Sequence, residues 1–252
     1  MTQAFLESLE AGEPRGSYRL ILVDNGSTDA TGQGLKAWKK RLPYTLIRNR
    51  RNLGVAPAWN QGVDKALRAK AAWIGVLNND LVLSAGALTR LRQRAVARGW
   101  SLVSPATREG ALNYDLAQYA QSYTQRCNSW DKTGGWFGWC FLVERRVFQA
   151  IGRFDEGFLT GIGEDEDFFR RAQAAGFLCG TTGSSFVHHF GSATLGPWRR
   201  LQGKGFEEKN LARLRARYAI QAPTRLARLR NRTAAGLERA WAQLRWGHFL
   251  KE

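Results

Sequence analysis

The sequence predicts an α/β fold, with a mostly parallel mixed sheet flanked by helices and basic helices at the C-terminal end. Over the first 104 residues, short apolar runs of strand length alternate with segments of helical periodicity, the pattern that builds parallel, helix-flanked sheets. A chain of 252 residues with 44% hydrophobic content can bury one core of this kind. No apolar stretch approaches the roughly 20 residues that a membrane-spanning helix needs, so no such helix is predicted.

Periodicity places the elements of the first half in a regular order. Pro57 marks the start of one helix, because a proline in the first turn of a helix lacks only a donor that would be unused there. The predicted elements are a helix near Gln3–Leu9, a strand at Tyr18–Val23, a helix near Gly34–Arg41, a short strand at Tyr44–Ile47, a helix from Pro57 to about Lys70, a strand at Trp73–Leu77, a helix at Ala85–Ala97 and a strand at Ser101–Ser104.

The periodicity fails between Glu109 and Asp131, where a polar segment containing several aromatic residues predicts an irregular region or insertion. Beyond it, the regular pattern returns. The predicted elements there are a strand at Trp136–Val143, a short helix near Arg145–Ile151, an acidic helix from about residue 164, strands near Leu178–Thr181 and Ser185–His188, and two basic helices broken near Pro223.

The distribution of charge predicts two parts, a folded domain at 1–205 and a basic amphipathic helical tail at 206–252. Of the net charge of +17, residues 198–252 supply +10, from 14 Lys/Arg and 4 Asp/Glu. A basic helix can lie on an anionic membrane, follow a nucleic-acid backbone or pack on its own domain. Residues 1–17 show no secretory signal, so the expected location is the cytoplasm, with peripheral contact at the inner face of the cell membrane.

Three polar segments are candidate sites. Four consecutive carboxylates, Glu164–Asp167, precede a helical run, although acids there also stabilise a helix start. Asn78–Asp80 follows the strand Trp73–Leu77, where open α/β sheets bind ligands, although Asn and Asp are also common turn residues. His188 and His189 are two of only three histidines, and adjacent residues of an extended segment point to opposite faces.

A fourth polar segment, Asp24–Asp29, follows an apolar strand and brings a carboxylate, a glycine and hydroxyls to a turn that can bind the polar edge of a nucleotide. The sequence contains no Gly-x-Gly-x-x-Gly, P-loop, Gly-x-Ser-x-Gly or His-Glu-x-x-His motif. This argues against dinucleotide oxidoreductases, P-loop kinases, common serine hydrolases and zinc peptidases.

Taken together and in this order, the motifs resemble the family 2 glycosyltransferases of the GT-A fold, over roughly residues 3–215. The resemblance implies inverting transfer of a sugar from a nucleotide-sugar donor to a hydroxyl of a glycan or lipid-linked acceptor, as in the synthesis of bacterial surface polysaccharides. It is carried by six segments: Val23–Asp29, Arg48–Ala56, Leu77–Asp80, Val147–Glu156, Gly163–Phe168 and His188–Ser192.

The resemblance also implies a nucleotide site. Asp24 matches the carboxylate that contacts the base or ribose. Asp80 matches the last acid of the family's DXD motif, and Asn78 stands in the place of its first acid. Asn52 and Gly54 belong to the matched segment 48–56 and complete the expected nucleotide-binding set.

A divalent metal is implied at the same place. Mg²⁺ or Mn²⁺ suits carboxylate and diphosphate oxygens and would neutralise the charge of the leaving group. Asp80 is the expected carboxylate ligand. His189, or as a second choice His188, matches a histidine that completes the metal site in some relatives.

The catalytic and acceptor residues follow from the same comparison. Asp165 resembles the base that takes the proton from the acceptor hydroxyl, a task that an ionised carboxylate can perform at neutral pH. Glu164 is expected to bind the acceptor. Trp136 and Trp139 lie on the strand that borders the acceptor cleft and could stack on a sugar, although tryptophans in strands commonly pack into cores.

Relatives usually begin with a β-strand and a turn before the first helix, whereas Met1 here leads almost directly into the first predicted helix. The comparison therefore predicts that a central strand and part of the nucleotide pocket are absent. One alternative is a catalytically silent relative that binds a membrane or a partner enzyme through its basic tail. The other is a basic nucleic-acid-binding protein with salt-dependent binding. That alternative gives no reason for the carboxylates at Asp24, Asp80 and Asp165, so no specific nucleic acid is expected as a partner.

Overall fold

The computed structural model describes residues 1–158, 161–191 and 205–219. These residues form eight helices and eight strands. In chain order they are α1 (Thr2–Gly12), β1 (Leu20–Asp24), α2 (Thr31–Trp38), β2 (Tyr44–Arg48), α3 (Val55–Arg68), β3 (Trp73–Leu77), β4 (Leu81–Leu83), α4 (Ala87–Arg98), β5 (Leu102–Glu109), α5 (Leu116–Cys127), β6 (Asp131–Thr133), β7 (Cys140–Glu144), α6 (Arg145–Ile151), α7 (Glu164–Ala174), β8 (Cys179–His189) and α8 (Gly205–Tyr218).

The larger sheet has six strands, in the order β3-β7-β5-β8-β4, with the short β6 paired to β8. Strands β3, β5 and β8 run in one direction, and β7, β4 and β6 run against them. Helices α3, α6 and α7 bury one side of this sheet in a core that includes Val63, Phe141, Phe148 and Phe168. The predicted mixed α/β sheet flanked by helices is confirmed.

Strands β1 and β2 form a separate parallel pair, with Leu20 opposite Tyr44 and Asp24 opposite Arg48. Within the described ranges, no strand joins this pair to the larger sheet. Every residue of β1 and of β3 lines the same open cavity. The space between the free edges of β1 and β3 is therefore open and continuous with the cavity.

The predicted elements of the first 104 residues occur in the predicted order, and the short strands β4 and β6 were not predicted. The region between Glu109 and Asp131 differs from the prediction. The prediction of an irregular segment there is wrong, because residues 116–127 form α5. Asp115 caps this helix by accepting a hydrogen bond from the Gln118 backbone N–H at 2.9 Å. Its buried face consists of Ala120, Tyr123 and Cys127, and this mixture of small and polar-tipped side chains hides the helical period from a hydrophobicity pattern.

Two further boundaries differ. The strand predicted from Trp136 begins only at Cys140, because residues 134–138 form an irregular approach to it. The two strands predicted near residues 178–188 are one long strand, Cys179–His189, with a register shift against β5 between Pro105 and Ala106.

Helix α8 belongs by sequence to the predicted tail, yet it lies against the start of α7. Arg217 Nη1 donates to Asp167 Oδ1 at 2.5 Å, and Asn210 Nδ2 donates to the carbonyl of Ile162 at 2.8 Å. Leu214 is buried beside them. The remaining part of the predicted basic tail lies outside the described residues. In the parts of the chain that the structure describes, no helix has the length and apolar character to cross a membrane.

Candidate functional site

Three carboxylates from distant parts of the sequence line one open cavity of about 1650 Å³. Asp24 ends β1, Asp80 follows β3, and Asp165 lies in the first turn of α7. Because β1 and β3 both end at the cavity, the residues at their carboxyl ends face the same space, as in other open α/β sheets. The cavity exceeds the usual 300–1,000 Å³ of a ligand pocket, since it includes the open space between β1 and β3.

Asp24 is held by the turn that follows it. It is 5% exposed, and its Oδ1 accepts a hydrogen bond from the Ser27 backbone N–H at 2.9 Å. Its Oδ2 lies 3.3 Å from Arg48 Nε but has no hydrogen-bond partner of good geometry. Gly26 allows the turn, because a Cβ there would lie 2.6 Å from the carbonyl carbon of Arg51. One buried carboxylate oxygen therefore remains available to a ligand.

A network of side-chain amides fixes the neighbouring loop. Asn25 Nδ2 donates to Asn52 Oδ1 and to the carbonyl of Gly54, each at 2.9 Å. Asn49 donates to Asn25 Oδ1 at 3.0 Å. Gly54 has a φ of 99°, a left-handed backbone that favours glycine, and it caps α3. Asn52 and Gly54 thus line the cavity, as parts of a hydrogen-bonded rim beside Asp24.

Asp80 and His189 face each other across the end of the larger sheet. His189 is the last residue of β8 and pairs with Leu81 of β4, one residue after Asp80. Asp80 Oδ1 lies 3.3 Å from His189 Nε2, and both atoms are buried without a hydrogen-bond partner. On the other side of the ring, His189 Nδ1 lies 3.3 Å from Glu109 Oε1.

These carboxylates alter the titration of the histidine. Burial alone would lower the pKa of His189, but the two neighbouring carboxylates outweigh it and raise that pKa to about 9. Asn78 also reaches the cavity, and its backbone N–H donates to the carbonyl of Trp139 at 2.9 Å. Within the described part of the chain, no three His, Cys, Asp or Glu side chains converge as a complete metal centre.

The atoms that are present suit a divalent cation. Two neighbouring ligands of an octahedral ion with bonds of about 2.1 Å are roughly 3 Å apart, close to the 3.3 Å between Asp80 Oδ1 and His189 Nε2. Mg²⁺ commonly takes only one or two protein ligands and completes its shell with water and phosphate oxygens. The orphaned pair therefore fits a metal that is bound together with a diphosphate.

Two predicted residues lie away from this site. His188 is fully buried on the opposite face of β8, where its Nδ1 is 2.9 Å from the Tyr114 hydroxyl, and burial lowers its pKa. Trp136 stacks on Phe169 at a centroid distance of 5.0 Å and packs against the core. The structure thus places neither His188 beside Asp80 nor Trp136 in the cavity lining.

Trp139 does line the cavity, but it faces His189. Its ring stacks on the imidazole at a centroid distance of 4.9 Å and an interplanar angle of 13°. Its Nε1 donates to Thr107 Oγ1 at 3.2 Å. Trp139 therefore fixes the plane of the histidine ring on one side.

The acidic cluster forms the first turn of α7. Gly163 precedes the helix with a φ of 96°, and a Cβ there would lie 3.0 Å from Phe158 and Leu214. Asp165 Oδ1 accepts a hydrogen bond from the Glu166 backbone N–H at 2.8 Å. Its Oδ2 lies so close to Gly138 that a Cβ on that residue would overlap it. The Asp165 carboxylate therefore sits at the helix start and against the backbone before β7.

Glu164 and Asp165 are coupled by proximity. Glu164 is 2% exposed and its Oε2 has no hydrogen-bond partner. Burial, and next the charge of Asp165, raise the pKa of Glu164 to about 8. Burial also raises the pKa of Asp165. At neutral pH the arrangement therefore keeps a proton on Glu164, and burial disfavours a charge on either carboxyl group.

Asp167 serves the structure, unlike its two neighbours. It is fully buried and accepts hydrogen bonds from Arg171 at 2.8 Å, Arg217 at 2.5 Å and the Tyr218 hydroxyl at 2.7 Å. Burial raises the pKa of Asp167, but these hydrogen bonds outweigh it and lower that pKa overall. The four consecutive acids thus divide into three that line the cavity and one buried anchor, Asp167. Of the three, Glu166 is partly exposed and paired with Arg170 at 2.7 Å.

One residue of the site was missed from the sequence. Glu109 lies at the end of β5, within the segment where no regular structure was expected, and it lines the cavity. The pairing of β5 with β8 places it directly opposite His189. No local motif surrounds it, and only the pairing of two strands 80 residues apart reveals it.

Comparison with known proteins adds to this geometry. A protein-family model described as glycosyl transferase family 2 matches residues 1–152. The N-acetylglucosaminyl-diphospho-decaprenol L-rhamnosyltransferase of Mycobacterium tuberculosis is 29% identical over 222 residues, and the match covers 74% of this chain and 71% of that protein.

Two solved structures share the fold. GalNAc-T7, crystallised with UDP, GalNAc and Mn²⁺, matches with a TM-score of 0.57 at 15% identity, covering 73% of this chain and 40% of the other. S. aureus TarS 1–349 in complex with UDP matches with a TM-score of 0.57 at 13% identity, covering 74% and 55%. This chain therefore spans about half the length of these two proteins.

Proposed function

The chain belongs to glycosyl transferase family 2, and we propose that it transfers a sugar, with inversion, from a nucleotide-diphosphate donor to an acceptor hydroxyl. The single observation that carries this proposal is the convergence of Asp24, Asp80 and Asp165 on one cavity. Each of these carboxylates has a separate task in the reaction. They would contact the nucleoside, the diphosphate and the acceptor, respectively.

Asp165 acts as the general base. The acceptor oxygen attacks the anomeric carbon from the face opposite the diphosphate and gives its proton to Asp165. The new carbon–oxygen bond forms as the bond to the diphosphate oxygen breaks, and the electron pair leaves with the nucleoside diphosphate. A base positioned in this way contributes about 10²- to 10⁴-fold to the rate.

Glu164 has a different part. Its raised pKa keeps it protonated at neutral pH, so its carboxyl group can donate a hydrogen bond to a substrate oxygen. Its unpartnered Oε2 and its place in the cavity lining support a contact with the acceptor. Glu164 therefore binds and orients, and Asp165 removes the proton.

Asp80 and His189 would hold the divalent ion, Mg²⁺ or Mn²⁺. Enzymes of the GT-A fold commonly use divalent metals, and the orphaned atoms of this pair support such a role here. When bound, the ion supplies positive charge that stabilises the departing diphosphate. Asn78 lies beside this pair, and Asn52 and Gly54 form the rim near Asp24.

The acceptor is a lipid-linked sugar in this proposal. The name of the Mycobacterium tuberculosis relative describes transfer of L-rhamnose to a sugar on decaprenyl diphosphate, which supports a polyprenyl-diphosphate acceptor and a role in bacterial envelope polysaccharide synthesis. Such an acceptor lies in the membrane, and the strongly basic chain could approach an anionic membrane face from the cytoplasm.

Nucleotide binding tests the donor site. Nucleoside diphosphates carrying different bases are titrated with and without Mn²⁺ into the wild-type chain and into Asp80→Ala. The control is Asp64→Ala, because Asp64 is a partly exposed acid of α3 that pairs with Arg153 and does not line the cavity. We expect one nucleotide to bind in a metal-dependent manner, and we expect Asp80→Ala alone to weaken it. Binding that ignores both metal and Asp80 would contradict the proposal.

A second candidate is a family member that does not catalyse transfer. The open space between β1 and β3 favours it, because this space is continuous with the donor cavity and leaves one wall of the nucleotide site without a strand in the described residues. In that case no nucleoside diphosphate would bind, with or without metal.

A further inference from the structure

We propose that Glu109 is a positioning residue that fixes the tautomer and orientation of His189 for binding the divalent cation. This rests on the proposed function, since it concerns the same metal. Glu109 lies outside every motif that identifies the family in this sequence, and its place follows from strand pairing.

The pairing of β5 and β8 brings the two residues together. Glu109 and His189 are direct partners in the parallel register of these strands, so their side chains project from the same face of the sheet. The backbone confirms the alignment, because the Gly110 N–H donates to the His189 carbonyl at 3.0 Å. Glu109 is thus held beside the imidazole by the sheet itself and not by a flexible loop.

The contact decides which ring nitrogen can meet a metal. His189 Nδ1 lies 3.3 Å from Glu109 Oε1, and a carboxylate can only accept a hydrogen bond. Of the two carboxylates beside the ring, Glu109 meets the geometry of a hydrogen bond and Asp80 does not. A neutral His189 therefore carries its proton on Nδ1, and the lone pair of Nε2 is free. That nitrogen is buried, lacks a hydrogen-bond partner and lies 3.3 Å from the equally orphaned Asp80 Oδ1. Carboxylates that hold a metal-binding histidine in this way are a general feature of metal sites.

The same strand supports the ring from a second direction. Thr107 lies two residues before Glu109 and therefore projects from the same face of β5. Its hydroxyl receives the hydrogen bond from Trp139 Nε1, and the Trp139 ring stacks on His189. Strand β5 therefore fixes the plane of the imidazole ring through Trp139 and the rotation of the ring through Glu109.

The charges also suit a divalent ion. Two largely buried carboxylates, Asp80 and Glu109, lie on either side of the imidazole: the side chains are 9% and 22% exposed. One divalent cation carries the charge that balances two carboxylates. Buried unbalanced carboxylates are costly, so the two acids suit a divalent cation when His189 binds it through a neutral ring.

The experiment measures Mn²⁺ affinity directly, by the electron paramagnetic resonance signal of the free ion, with and without nucleoside diphosphate. Glu109→Ala should bind Mn²⁺ about 10- to 100-fold more weakly than wild type, as is typical when such a partner is lost. Glu109→Gln keeps an oxygen that accepts from Nδ1 but loses the charge, so its affinity should lie between the two. The control is Glu144→Ala, because Glu144 has a similar side-chain exposure of 25% and ends β7 at the opposite end of the sheet.

The outcomes separate the inference from the proposed function. Unchanged Mn²⁺ affinity in Glu109→Ala, together with weakened affinity in Asp80→Ala and His189→Ala, would overturn the role of Glu109 and leave the metal site intact. If the wild type binds no Mn²⁺ under any condition, both proposals fail. If the role of Glu109 is purely structural, metal-free Glu109→Ala and Glu109→Gln should both melt at a lower temperature than wild type, by the same amount. Neither variant would then show a selective loss of Mn²⁺ affinity, and the proposed role would be overturned.

Discussion

Replacement of Arg217 by methionine should destabilise the protein, because Arg217 ties α8 to the helix that carries Asp165. Its guanidinium donates to the fully buried Asp167 at 2.5 Å and lies 2.8 Å from the partly exposed Asp155. Methionine keeps much of the aliphatic length of the side chain and removes both contacts. The change therefore isolates the charged interactions of α8 from its apolar contacts.

The magnitude follows from the burial of each partner. A hydrogen bond to a buried charge contributes about 1.5–3 kcal/mol, and a partly exposed ion pair contributes roughly 0–1 kcal/mol. Asp167 keeps Arg171 and Tyr218 as partners, so the larger cost of an unpaired buried charge does not arise. The expected loss is about 1.5–4 kcal/mol in the free energy of unfolding, or roughly 3–16 °C in Tm for a domain of this size.

Urea denaturation at pH 7 measures this loss, with Arg215→Met as the control on an exposed position of the same helix. The loss should also shrink in acid. Hydrogen bonds hold the pKa of Asp167 below its ordinary value of 3.8, so the stability that they supply is present above that pH and disappears as the pH falls below it. The reasoning is refuted if Arg217→Met and Arg215→Met agree within about 0.5 kcal/mol, the usual scatter of surface changes.

Three other predictions concern the acidic helix start. Gly138→Ala should lower kcat by about 10²- to 10⁴-fold, because the added Cβ would displace the Asp165 carboxylate. Nucleotide titration should show that the variant still binds the donor nucleotide as the wild type does. Equal losses of kcat and of nucleotide affinity would point to general disruption of the site. In a steady-state transfer assay, Asp165→Asn should lower kcat by a similar factor of about 10²–10⁴. Glu164→Gln keeps a neutral hydrogen-bonding group and should retain most of the activity. A larger loss of kcat in Glu164→Gln than in Asp165→Asn would exchange the roles of the two residues. Glu164 should also make the protein less stable as the pH rises from 4.5 to about 8, because over this range the folded state keeps a proton that the unfolded chain has lost. Urea denaturation measures the free energy of unfolding at pH 5 and at pH 8, and the change between the two should be smaller for Glu164→Gln than for wild type. An equal change in both proteins would contradict the raised pKa of Glu164.

The part of the site that the sequence could predict is the part made by local chemistry. Asp24 ends one apolar strand, and Asn78 and Asp80 come within three residues of the end of another. The carboxyl ends of strands are where α/β folds bind ligands, and both strands line the same cavity. Asp165 follows Gly163 at the start of a helix whose period is clear in the sequence. In each case the signal is a polar residue at a place that local periodicity defines.

The remaining part depends on pairing between distant segments. Alternation along β8 requires His188 and His189 to face opposite sides, but only its pairing with β4 and β5 decides that His189 meets Asp80 and Glu109. Trp136 and Trp139 were both expected on a strand that borders the acceptor cleft, yet the strand begins only at Cys140. The irregular stretch before it turns Trp136 towards Phe169.

The division of the chain into a domain and a basic tail shows the same limit. The count of charged residues groups everything from residue 206 onward into one tail, because a count of charges carries no information about which residues each helix contacts. Arg217 and Tyr218 nevertheless bond to Asp167 of α7. Charge composition describes how a helix interacts with water and salt, whereas hydrogen bonds to the buried Asp167 fix where this helix lies.

The central claim, that one cavity contains a working transfer centre, is tested most directly by product formation. Wild type and Asp165→Asn are incubated with Mn²⁺, a panel of nucleotide sugars and an N-acetylglucosaminyl polyprenyl diphosphate, and the anomeric configuration of the product is read by nuclear magnetic resonance. We predict transfer from one donor by the wild type, with the configuration inverted relative to that donor, and little or no product with Asp165→Asn. Transfer with retained configuration, or equal transfer by both proteins, would contradict the account.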